Sequence, residues 1–148
     1  MLELISLFLS SIIGAVFWVV STEGLATTFG AVGWHPLTVG LVCSLGQNVT
    51  YVMIYLGGER LIERWEWLQT RIDRVRKRLG ERLERSYLAL TVIGGLTGLP
   101  PIVAMVALAP SMQVRLRTVL TITLPARFLR FTTLAYAGEK ILAMWTSL

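Results

Sequence analysis

The sequence predicts an all-α integral membrane protein. It is read as two re-entrant helical hairpins plus transmembrane helices in a pseudo-inverted-repeat arrangement, joined by a charged amphipathic helix. Three observations lead there. The first is charge depletion: 54% of the 148 residues are hydrophobic and 16% charged, where a soluble domain carries about a quarter of its residues as charges. The second is segregation. Nine of 14 Lys and Arg lie between Arg60 and Arg85, and six of nine Asp and Glu between Glu59 and Glu84. The rest of the chain holds only Glu3, Glu23, Arg115, Arg117, Arg127, Arg130, Glu139 and Lys140, a depletion that lipid requires and water does not. The third is that each half contains a Gly-interrupted apolar segment followed by a long helix, and paired broken segments mark transporter folds.

Several function classes drop out at once. The net charge of +5 does not indicate nucleic-acid binding, because the excess sits beside apolar spans, as the positive-inside rule expects, and no RNA- or DNA-binding motif is present. Cys43 is the single cysteine and His35 the single histidine. An intrachain disulfide is therefore excluded, and neither a zinc site nor any cofactor is expected. No carboxylate pair has metal spacing, no Ser-His or Cys-His arrangement forms, and no phosphate loop precedes a helix. The chain reads as a transporter and not an enzyme. The first apolar run lacks a basic segment before it, Glu3 being its only early charge, so it is kept as part of the mature protein.

The elements follow in order, as a single membrane domain with parts 1–57, 58–85 and 86–148. Ile5 to Val20 is 16 residues without a charge, slightly short for a crossing. Ser21, Thr22 and Glu23 interrupt it before a second apolar stretch, Leu25 to Trp34, with Gly30 and Gly33 inside. Two readings stand: a re-entrant hairpin, or a plain first helix ending in an external loop. Pro36 to Leu56 is 21 uncharged residues and the clearest transmembrane helix, with Pro36 suited to the first turn and Gly57-Gly58 able to stop it.

From Glu59 to Arg85 apolar residues fall at Leu61, Trp65, Leu68, Ile72, Val75, Leu79 and Leu83, one face of a helix. The cluster Arg74, Arg76, Lys77, Arg78 attracts anionic headgroups. This predicts an amphipathic helix on the cytoplasmic surface, bent near Gly80, with a short coiled-coil seam as the alternative. Ser86 to Met112 is uncharged but holds Gly94, Gly95, Gly98, Pro100, Pro101 and Pro110. Proline breaks a simple helix there, and a second hairpin keeps Arg115 and Arg117 on the same side as the basic block. The last element runs from about Val114 to Trp145.

Arg127 and Arg130 are the sharpest chemical signal. Nine uncharged residues precede them and eight follow, and at i,i+3 they share a helix face. An arginine at mid-membrane costs roughly 2.5–3.5 kcal/mol on insertion scales. The pair is either an anion site, guanidinium being suited to phosphate, or two side chains reaching an interface. Glu23 in a re-entrant tip would be partly desolvated, which favours its neutral form. It can then carry a proton or neutralise the arginines, or else it is a solvated turn carboxylate. Gln47 and Asn48 lie inside the clearest span and either bond between helices or line a substrate path.

These segments together resemble the DedA superfamily, also called VTT or SNARE-associated Golgi-protein domains, above all its short branch, whose members are described as small multidrug exporters. The resemblance is carried by Val20-Ser21-Thr22-Glu23-Gly24, by Ser44-Leu45-Gly46-Gln47-Asn48 through Tyr55-Leu56-Gly57-Gly58, by the Pro-containing stretch Gly94 to Pro110, and by Pro125-Ala126-Arg127-Phe128-Leu129-Arg130-Phe131. It implies two re-entrant hairpins meeting in a prokaryotic inner membrane, often in a homodimer. It also implies movement of membrane lipids, polyprenyl-phosphate carriers included, sometimes coupled to protons. The expected substrate-binding residues are Arg127, Arg130, Glu23, Gln47 and Asn48, with an anionic lipid headgroup or a small molecule as the partner. Proton-coupled efflux of small cations through Glu23, and a non-transporting scaffold using the amphipathic helix, are the competing expectations.

Overall fold

A computed structural model describes residues 2–15, 21–64, 86–97 and 102–146, and those residues are helical apart from short turns. In chain order the helices are α1 (Leu2–Gly14), α2 (Thr22–Ala31), α3 (Pro36–Arg64), α4 (Ser86–Thr97), α5 (Ile102–Leu108), a 3-10 turn (Pro110–Met112) and α6 (Leu116–Thr146). Two successions of short, short and long helix follow one another. Most of the expected amphipathic helix, 65–85, and the Leu99-Pro100-Pro101 break lie outside the described residues. The all-α expectation holds.

One difference concerns the end of α3. The sequence places a stop at Gly57-Gly58, but the helix runs on to Arg64. Two glycines weaken a helix by about 2 kcal/mol, and the strong helix formers after them, Glu59, Arg60 and Leu61, carry it through. Within α3, Pro36–Gly58 is long and apolar enough to cross a membrane.

The chain divides into two compact units, residues 1–50 with 124–148, and residues 51–123; the boundaries fall inside α3 and α6. In the first unit α1 and α2 form a hairpin. The Trp34 indole N–H, just past α2, donates to the Glu3 carboxylate at the start of α1, 3.0 Å away, so the chain has returned to its starting end. At 1.5 Å per residue α1 is about 20 Å long and α2 about 15 Å. Helix α3 then runs alongside α1: Gly46 faces Phe8 and Ser11, and the Thr50 hydroxyl donates to the Ile12 carbonyl at 2.7 Å.

Helix α6 joins this unit through small residues. A Cβ on Gly30 would fall onto the Ala135 backbone, and one on Gly138 onto the Thr27 carbonyl. Two turns earlier in each helix Glu23 pairs with Arg130, so α2 and α6 run in the same direction. Gly40 of α3 faces Phe128 and Thr132, while residues 33–37 share a cavity wall with Tyr136 and Glu139, so α3 passes α6 in the opposite direction. Leu7, Ala26, Val39, Cys43, Phe131 and Ala135 form the buried core.

One face of α3 carries Leu37, Leu41, Leu45, Val49, Met53 and Leu56, all exposed, while Ser44, Gln47, Asn48 and Thr50 are buried. On α1 the exposed Leu2, Ile5, Leu9 and Ile13 contrast with the buried Ser11. Burial of a polar group is the informative observation in any fold.

The second unit manages backbone groups freed by a broken helix. Where α5 ends, the Ala109 amide turns to the Val106 carbonyl at 3.2 Å, which leaves the Met105 carbonyl without its usual i+4 donor. The Tyr87 hydroxyl donates to it at 2.6 Å. The Tyr55 hydroxyl likewise donates to the Val114 carbonyl at 2.9 Å, just before α6. Gln113, with φ 54°, turns the chain between the two.

The close approach of α2 and α6 predicts the effect of a side chain there. Gly30→Leu should lower stability by roughly 1–3 kcal/mol, the usual cost of overpacking. Gly57→Ala, where nothing lies within 4 Å, should raise it by up to about 1 kcal/mol. Thermal unfolding of the detergent-purified variants, followed by tryptophan fluorescence, separates the two; equal shifts would contradict the packing described.

Candidate functional site

The candidate site starts from the N-terminus of α2. Ser21, with φ −67° and ψ 100°, sits in extended conformation and its hydroxyl accepts the Gly24 amide at 3.1 Å. That cap begins the helix at Thr22 and places Glu23 in the first turn, where the helix dipole favours a carboxylate. The Glu23 side chain is then held by Arg130: Nη2 donates to Oε1 at 2.5 Å. The two differ in burial, with Arg130 16% and Glu23 47% exposed at the side chain. The arginine is therefore enclosed while its carboxylate partner still faces outward.

Arg127 lies one turn earlier on α6 and is 7% exposed. Its Nε has no hydrogen-bond partner among the described residues. Its guanidinium stands 5.9 Å from the centre of the Phe131 ring, at the outer limit of a cation–π contact. Thr22 Oγ1 is buried and likewise without a partner among the described residues. Pro125 lies inside α6 just before Arg127. It supplies no amide N–H, so the Thr121 carbonyl loses its helical donor.

The charge count of this unit is complete from the sequence. Its charged side chains are Glu3, Glu23, Arg127, Arg130, Glu139 and Lys140. Glu3 binds Trp34 at the opposite end of the hairpin, and Glu139 and Lys140 are exposed, with Lys140 lying 5.2 Å from the Tyr136 ring. Glu23 pairs with Arg130, and no carboxylate among the described residues pairs with Arg127.

Of the five residues singled out by sequence, the structure brings Glu23 and Arg130 into contact and buries Arg127 beside them on the same helix. Gln47 and Asn48 are both buried in α3, and the Asn48 amide donates to the Ser44 carbonyl of its own helix at 2.8 Å. Phe131 and Thr132 were not singled out; the i,i+4 spacing of Arg127 and Phe131 is the one signal that marked Phe131. A cavity of about 610 Å³ opens elsewhere in the unit, lined by Trp34, His35, Thr132, Tyr136 and Glu139 among others, and none of Glu23, Arg127 and Arg130 lines it. Among the described residues no cluster of His, Cys, Asp and Glu has the make-up of a metal site.

No known family matches the sequence, and neither a protein of curated function nor a solved structure does.

A buried charge without a partner is costly to the fold. Arg127→Leu should therefore raise stability, by about 1 kcal/mol or more. Glu23→Ala should lower it by no more than about 1 kcal/mol, the half-exposed carboxylate being screened. Thermal unfolding in detergent reads both signs; a destabilised Arg127→Leu protein would mean that the arginine serves the fold.

Proposed function

We propose that the protein is a membrane transporter that moves an anionic, phosphate-bearing lipid across the bilayer, with the headgroup held by Arg127 and Arg130. The observation that carries this reading is the Arg127 guanidinium, 7% exposed and with its Nε unpartnered among the described residues. A fold keeps such a charge for a ligand of opposite sign, and guanidinium offers phosphate a planar set of donors. Glu23 takes the place of an anion at Arg130. Its half-exposed carboxylate can withdraw as a headgroup arrives.

The membrane setting rests on three supports. Pro36–Gly58 is long and apolar enough to cross a bilayer. Its exposed stripe from Leu37 to Leu56 is apolar while Ser44, Gln47, Asn48 and Thr50 are enclosed among Val39, Cys43, Tyr51 and Tyr55, which suits hydrocarbon outside and polar groups inside. The described helices α1 and α2, about 20 and 15 Å long by helix rise, are each shorter than the roughly 30 Å core of a bilayer, which supports a re-entrant reading. Gly40 lies just inside α3 and faces Phe128–Thr132. Arg127, a further turn along, then sits on the order of 10 Å from the start of the span.

In this reading α1–α2–α3 and α4–α5–α6 are the two halves of a pseudo-inverted repeat, in a multi-pass protein of a prokaryotic inner membrane and of DedA type. A second copy completes a homodimer, and Gln47 and Asn48 line the path. Cation efflux through Glu23 has less support, because Arg130 occupies that carboxylate and both arginines repel a cation.

Reconstitution tests the proposal. Proteoliposomes containing the wild type should move a fluorescent phospholipid or a polyprenyl phosphate between leaflets, and Arg127→Ala/Arg130→Ala should reduce the rate to that of empty liposomes. Undiminished movement in a folded double variant would refute it.

A further inference from the structure

The charges of the site set a limit on its ligand. Resting on the lipid-phosphate reading, we infer that the site accepts one negative charge: a phosphodiester headgroup, which is a monoanion, in preference to a phosphomonoester, which is a dianion above its second pKa of about 6.

Glu23 in the first turn of α2 pairs with Arg130 of α6, and Arg127 lies one turn before Arg130 on the same helix. The Glu23–Arg130 pair is closed. Arg127 is more than nine-tenths buried, its ring contact is a weak one, and its Nε has no partner among the described residues. Every other charged side chain of the unit is accounted for at a distance: Glu3 by its bond to Trp34, and Glu139 and Lys140 by their exposure. The segment 16–20, which leads into α2, adds no charge, being Val-Phe-Trp-Val-Val. Among the described residues the site therefore holds one positive charge, that of Arg127, with no carboxylate against it.

In a medium of low dielectric the favoured complex is the neutral one, since each leftover charge is poorly solvated. A phosphodiester on Arg127 reaches neutrality with the Glu23–Arg130 pair intact. A dianion does so only if Glu23 gives up Arg130, or if the phosphate takes up a proton. Either step weakens binding. Glu23 is thus the residue that selects between the two headgroup classes, by keeping the second arginine occupied.

A long-chain alkyl phosphate and its monomethyl ester differ by one ionisable oxygen and isolate this effect. Their binding to the full chain in detergent is measured calorimetrically at pH 8. The wild type should bind the methyl ester about tenfold or more tightly than the parent phosphate, a single partly buried charge being worth at least that. Glu23→Gln, which leaves both arginines and removes the carboxylate, should erase or reverse the ratio. Glu23→Asp should retain it, and Arg127→Ala should lose both ligands. A wild-type preference for the dianion, or a ratio unchanged in Glu23→Gln while Arg127→Ala abolishes binding, overturns the inference and leaves the lipid-phosphate reading standing. Binding of both ligands that survives Arg127→Ala overturns the reading itself. The wild-type ratio needs no variant, so a variant that fails to fold leaves the inference still open to refutation.

Discussion

The crossing of α2 and α6 at Gly30 and Gly138 is the contact on which the first unit depends. A Cβ at either position would land on the backbone of the facing helix. In an apolar medium no hydrophobic force draws helices together, and close backbone packing takes its place. The same proximity lets a short glutamate in the first turn of α2 reach an arginine two turns before the crossing on α6. Widening the crossing by a side chain would part the ion pair as well as the helices. Packing at one end and charge balance at the other are thus consequences of one distance.

Around that contact the fold keeps an imbalance. Both arginines keep an Nε without a partner among the described residues, but Arg130 is paired with Glu23 and Arg127 is not. A leucine in its place would cost nothing in desolvation and would fill the same volume. Buried ionic groups that can be replaced by apolar ones without loss are weak contributors to stability. Their retention fits a site where stability is given up for ligand binding. The weak ring contact with Phe131 softens the cost without removing it.

The second unit answers a different demand. Breaking a helix inside an apolar segment frees carbonyls that water does not reach. Tyr87 and Tyr55 supply hydroxyls to the Met105 and Val114 carbonyls, so each irregularity is met by a side chain from a regular helix. A tyrosine suits this task because its ring packs as an apolar body and its hydroxyl reaches one acceptor. Both tyrosines are buried.

Much of this was legible in the sequence because it depends on local properties. Charge depletion and uninterrupted apolar length predict the spanning segment of α3. Pro36 marks its start, and Ser21-Thr22-Glu23 marks the interruption before α2; that Ser21 is the residue capping α2 came from the structure. Two arginines in an uncharged run marked the site. The passage of α3 through Gly57-Gly58 was not legible, since propensity at two residues cannot outweigh the helix formers that follow. Nor could spacing tell which arginine takes Glu23. The sequence by itself determined the helical class and the inventory of three charges, because composition and period are properties of the chain alone. Only the tertiary structure decided that Arg130 is neutralised and Arg127 is not, because Glu23 and Arg130 stand 107 residues apart and meet only where α2 packs on α6.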